Sequence, residues 1–114
     1  MTPSVQSVQE LETLLKTRTD AFLEVWATRD DKSLAALVNG DIGWVTLFRF
    51  PGDEGIWTCD PEGNDDEVPF RLANGQLDHY PEKYTVPLAD VVKAFAHFFD
   101  TGDALPELKW FTPA

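Results

Sequence analysis

Between Leu88 and Phe99 the apolar residues Leu88, Val91, Val92, Phe95, Phe98 and Phe99 recur at helical spacing, while Asp90, Lys93, His97 and Asp100 fall on the other side. A helix patterned this way has one dry face, so the rest of the chain has to supply a layer that covers it. Pro87 suits the start, where its fixed φ is helical and its missing N–H would have no partner. Gly102 can take the left-handed backbone that closes the last carbonyls, which predicts a helix over Leu88 to Thr101. Pro106 forbids continuation, and Leu108 to Phe111 resumes as a short strand able to pair back into a sheet.

The covering layer is legible as strands. Phe22, Glu24 and Trp26 alternate with Leu23, Val25 and Ala27, and Arg29-Asp30-Asp31 supplies a polar turn. Leu34 to Val38 is apolar and the hairpin-favouring Asn39-Gly40 follows; Trp44 to Phe50 then reads as a long strand, although Ser33 to Val38 is also readable as helix. A short strand over Gly55 to Cys59 leads into a Gly-, Pro-, Asn- and Asp-rich loop. Val68 to Leu72, Asn74-Gly75 and Gln76 to Tyr80 form another hairpin. Upstream, Ser7 and Glu10 have capping-box spacing ahead of Val8, Leu11, Leu14 and Leu15, predicting an opening helix over Val8 to Arg18. Sequential hairpins flanked by helices predict an α+β fold. It has an antiparallel sheet of about five to seven strands, an N-terminal and a C-terminal helix on one face, and a final short strand, all in one domain over residues 1–114.

Twenty acidic residues against nine basic ones give a net charge of -11. Such a surface repels phosphate, which argues against direct binding to nucleic acid or to an anionic membrane and for a basic protein partner; solubility alone is the competing explanation. Cys59 is the only cysteine, so no internal disulfide can form. The first residues lack the basic and apolar regions of a leader, and no apolar run is long enough to span a bilayer, so a cytoplasmic protein is expected.

Acidity is concentrated between Arg49 and Arg71, where Asp53, Glu54, Asp60, Glu62, Asp65, Asp66 and Glu67 face no intervening basic residue. These carboxylates, with Trp57 beside them and Asp78 and His79 on the following hairpin, are the candidate partner-binding residues. The other tryptophans, Trp26, Trp44 and Trp110, read as core. Alternation of Asp60, Glu62, Asn64 and Asp66 resembles the start of a calcium loop, but Gly63 stands at the fourth place and Arg71 at the twelfth, where the loop needs Gly sixth and Glu last. His79, His97 and Cys59 have no metal-ligand spacing, and there is no nucleophile elbow or phosphate-binding loop. No cofactor, metal or catalytic residue is therefore expected, with an unlocated acid/base carboxylate pair as the residual enzymatic reading.

The succession Tyr80, Pro87-Leu88, a helix bearing Phe98-Phe99, Thr101-Gly102, Pro106 and Trp110 resembles the C-terminal signature of immunity protein family one, small bacterial proteins that neutralise polymorphic toxins. Ser33-Leu34, Leu37-Val38-Asn39-Gly40, Trp44 and Gly55-Ile56-Trp57 are similar to the family's middle section. The resemblance implies a non-enzymatic inhibitor partnered with a cognate toxin domain, often a nucleic-acid deaminase; the accompanying expectation is a monomer or weak dimer that neutralises a deaminase or nuclease domain by occlusion. The alternative is a small acidic accessory or ligand-binding domain with no toxin partner.

Overall fold

The computed structural model describes residues 2–113. The elements run α1 (Val8–Thr17), β1 (Phe22–Arg29), β2 (Lys32–Asn39), β3 (Ile42–Phe48), β4 (Ile56–Thr58), β5 (Glu67–Arg71), β6 (Leu77–Pro81), β7 (Val86–Pro87), α2 (Leu88–Thr101) and β8 (Trp110–Phe111), with a turn of 3-10 helix at Glu82–Tyr84. A six-stranded sheet has the order β1-β2-β3-β4-β8, with β7 also pairing β3. Every pairing among these strands is antiparallel. Ser33 to Val38 is strand throughout, locked in register between Phe22–Arg29 and Ile42–Phe48, which removes the helical reading of that stretch.

Both helices lie on one face of this sheet, as their stripes require. Val25, Ala27, Leu34, Ala36, Val38, Val45 and Leu47 point to that side and pack with Leu11, Val91, Ala94, Phe95 and Phe98. Period-two strands meet period-3.6 helices here, and each contributes its apolar side only. Ser7 caps α1 by accepting from the Glu10 N–H, and Gly102, at φ +80°, closes α2 by donating to the Phe98 carbonyl. A Cβ on Gly43 would stand 2.6 Å from Val91 Cγ2, so the absence of a side chain there lets α2 approach β3.

The second hairpin does not join the main sheet. β5 and β6 pair only with each other and lie across the face opposite the helices, over β1 and β2. Phe70 is sealed between the two layers, Asn39 Nδ2 donates to the Pro69 carbonyl at 3.0 Å, and the Ala73 N–H donates to Glu24 at 3.1 Å. Because the hairpin covers only part of that face, Trp26, Trp44 and Trp57 stay partly buried on it; Trp110 is partly buried on the helix side. The core placement expected for Trp26 and Trp44 is therefore corrected: strand alternation puts them on the side away from Val25 and Val45.

Candidate partner-binding surface

The acidic window is divided by β4 into two groups. Asp53 and Glu54 precede the strand, and Asp60, Glu62, Asp65, Asp66 and Glu67 follow it. Asp53 is committed within the chain: its carboxylate accepts from the Arg49 backbone N–H at 2.8 Å, from Nε at 2.8 Å and from an Nη at 3.0 Å. Its side chain is 4% exposed, so in the free chain its carboxylate is spent on closing the β3–β4 loop. The Arg49 guanidinium holds the Asp53 carboxyl well below the usual carboxylate range, keeping it ionised, the reverse of what a general acid needs. Glu54 is exposed.

The second group forms a ridge on a loop tied down by its own backbone. Asp60 N–H donates to the Lys83 carbonyl at 2.7 Å, Lys83 N–H to Asn64 at 2.9 Å, and Glu82 N–H to Asp66 at 2.7 Å. Side-chain oxygens complete the turns: Asp60 accepts from Glu62 N–H at 3.0 Å, and Asn64 accepts from Asp66 N–H at 2.8 Å. Asp60, Glu62, Asp65, Asp66 and Glu67 are all exposed on this frame. Lys83 Nζ meets Asp65 at 2.7 Å and Lys109 Nζ meets Asp60 at 3.7 Å. The Asp65 carboxylate raises the Lys83 pKa, so that ammonium stays charged. Among the described residues Glu62, Asp66 and Glu67 have no ion pair, and Glu82 adds a further exposed carboxylate beside Asp66.

Trp57 lies on the sheet face away from the helices, opposite Thr46 on β3 and Phe111 on β8. Its ring centroid is 5.0 Å from Phe111, 6.0 Å from Tyr84 and 6.2 Å from Trp44. Trp44 continues the array to Tyr80 at 4.4 Å. Phe111 is 45% exposed, so the array ends in an open apolar edge at β8, beside the loop that carries Asp60. Underneath, Thr58 Oγ donates to the Tyr84 carbonyl at 2.8 Å and accepts from Val45 N–H at 3.1 Å. That buried hydroxyl joins β3, β4 and the 3-10 turn, and so fixes the floor below both the ridge and the rings.

Asp78 turns toward the sheet side of the hairpin, where it accepts from Tyr80 OH at 3.2 Å and from Gln76 Nε2 at 2.8 Å. Partial burial, followed by this carboxylate, raises the Tyr80 pKa. His79 is exposed on the outer face, paired with Pro69 and on the same side as Glu67. The Asp60 to Glu67 loop is tied to the 3-10 turn whose Tyr84 packs near Trp57, His79 and Glu67 share one hairpin face, and Asp53 and Glu54 sit at the other end of β4 from Asp60. The residues that sequence reasoning missed are Tyr84 and Phe111, which complete the aromatic edge, and Glu82, which extends the ridge. Register signals them: Phe111 faces Trp57 across the β4–β8 pairing.

Among the described residues no group of three His, Cys, Asp or Glu side chains is placed to hold a metal ion, and no helix is long and apolar enough to cross a membrane. No curated protein matches the chain. The model of the family described as immunity protein Imm1 matches residues 3–110, nearly the whole length. The chain therefore belongs to that family of immunity proteins, whose function is immunity against a toxin.

Proposed function

We propose that this immunity protein silences its toxin by stoichiometric binding, without chemistry of its own, by setting the carboxylate ridge and the Trp57–Phe111 edge against a basic substrate groove. A toxin that acts on nucleic acid, as a deaminase or a nuclease does, must hold phosphate with Lys and Arg. Such a groove attracts a surface that mimics the charge of its substrate. The observation that carries this reading is the set Glu62, Asp66 and Glu67: exposed, without an ion pair among the described residues, and mounted on a loop whose backbone is already hydrogen-bonded. Because the loop is organised before contact, little ordering entropy remains to be lost on binding. The adjoining rings supply apolar area that slows release. The encounter takes place in the cytoplasm, where such a toxin meets nucleic acid.

The test is co-expression with the toxin domain encoded beside it, followed by association kinetics on the purified pair. The wild-type chain restores growth, and salt slows association far more than dissociation. Reversing Glu62, Asp66 and Glu67 together to Lys lowers the association rate by about tenfold or more while thermal stability holds. Asp65 is left out of this triple because its reversal would also break the pair with Lys83. Protection and association unchanged by the triple reversal would remove the ridge from the interface.

A further inference from the structure

The sheet face opposite the helices contains a hollow that the ridge does not use. Its volume is about 170 Å³, and Trp26, Phe48, Leu37, Trp44, Leu72 and Glu24 shape it, with Ala35 and Thr46 as floor. That is below the ~300 Å³ at which pockets for small organic ligands begin, so it suits one side chain rather than a cofactor or metabolite. One wall is aromatic: the Trp26 and Phe48 rings pack on each other with centroids 5.5 Å apart and 10° between their planes. The indole is fixed because Trp26 Nε1 donates to Glu24 at 2.7 Å.

Glu24 decides what fits. Its carboxylate is half-buried, and both of its partners, the Trp26 indole N–H and the Ala73 backbone N–H, are neutral. Among the described residues no cation pairs with it. Arg71, which lies near it, is committed to Asp20 at 3.0 Å and to the Phe22 ring at 4.8 Å. A half-buried carboxylate without a counter-ion is short of stabilisation that a partner's cation would supply. An apolar residue entering the hollow would bury that charge further without compensation. A lysine would bring a compact, strongly hydrated ammonium, whereas a guanidinium is planar, less hydrated and stacks on indole while pairing with carboxylate.

We propose that the hollow receives one arginine side chain of the toxin, its methylene stem against Leu37 and Leu72 and its guanidinium over the Trp26 and Phe48 rings, beside the Glu24 carboxylate that the indole N–H already holds. The partner's identity as a toxin rests on the function proposed above; the arginine subsite itself does not. The overall charge of -11 favours the same choice, since it draws a basic surface toward this face as well as toward the ridge.

Titration of the isolated chain with N-acetyl-arginine amide, followed at the Trp26 indole resonance by two-dimensional NMR, tests it without any toxin. The expected result is a saturable shift of Trp26 that the neutral isostere N-acetyl-citrulline amide does not produce and that N-acetyl-lysine amide produces only weakly. Glu24→Gln raises the Kd for the arginine probe about fivefold or more. Ala35→Leu, which removes no hydrogen bond and grows into the hollow, abolishes the shift. An equal shift with citrulline or lysine overturns the proposal, as does an arginine response confined to residues 60–67 with Trp26 unmoved. A failed titration beside intact protection by the wild-type chain refutes the subsite and leaves occlusion standing. A positive titration with no protection does the reverse.

Discussion

On the helix side of the central sheet, Phe95 and Phe98 are fully buried against strand residues such as Val25, Val38 and Val45. Across the same strands, Trp26, Trp44 and Trp57 are only partly covered, and Phe111 is 45% exposed. Both faces are built by one alternation and both are rich in large apolar side chains. They differ in coverage: two helices seal the first, whereas the β5–β6 hairpin overlies only part of the second. A sealed face stabilises the fold, while an apolar face left partly open is costly in isolation and is the kind of surface on which the proposed docking depends.

The sharpest way to break this comparison is to remove the same atoms from each side. Phe98→Ala opens a cavity in the sealed core and costs about 3–5 kcal/mol of unfolding free energy. Phe111→Ala, with its ring already near half in water, costs about 1 kcal/mol or less. Denaturant melts read both. Toxin neutralisation should invert the order once the Phe98 variant is assayed at a temperature where it stays folded. Equal stability losses would show that the open face is core after all.

The sealed face was legible because a helix stripe and strand alternation each declare their apolar side, and two such sides must meet. Leu88 to Thr101 accordingly forms α2 with the expected Gly102 stop. The open face was harder to read. In Phe22-Leu23-Glu24-Val25-Trp26-Ala27 the alternation separates two faces, but nothing local says which of them the helices cover. Membership of a strand, joined to bulk, therefore reads Trp26 and Trp44 as core. The pattern did hold a signal, since a carboxylate between two aromatics on one strand face is out of place in a sealed interior. The detachment of β5–β6 from the main sheet depends on long-range pairing that no local motif encodes. In the acidic window, counting charges gave no view of partners. Asp53 belongs to Arg49, four residues before it, and Asp65 and Asp60 lean on Lys83 and Lys109 from distant segments.

A second, smaller effect tests how the two faces are joined. Thr58 is fully buried on the helix side, yet it holds the 3-10 turn that carries Tyr84 to the aromatic side. Thr58→Val keeps the shape, but leaves the Val45 N–H and the Tyr84 carbonyl without this partner, at a cost of about 1–3 kcal/mol. If the hydroxyl positions the open face, the variant also perturbs the Trp44 and Trp57 side-chain resonances at temperatures well below unfolding. Loss of stability with those resonances unmoved would confine Thr58 to the core.

The smallest expected effect concerns Asp53, and its sign follows from linkage. Its carboxyl is held below the ordinary range in the folded chain, chiefly by the Arg49 side chain and next by the Arg49 backbone N–H. A group depressed on folding binds its proton more tightly in the unfolded chain. The stability it contributes is therefore present above the unfolded value, roughly pH 4, and is lost as pH falls toward the lower folded value. Asp53→Asn should melt at a lower temperature than wild type near neutral pH, and the gap should narrow steadily as the solution is acidified below roughly pH 4. Because the Asp53 carboxylate is held by Arg49 within the β3–β4 loop, the substitution should leave toxin association unchanged, unlike reversal of Glu62, Asp66 and Glu67. A gap that stayed constant with pH would mean that the Arg49 pair contributes nothing. A slower association for Asp53→Asn would extend the binding surface to the far end of β4, where the neighbouring Glu54 is exposed.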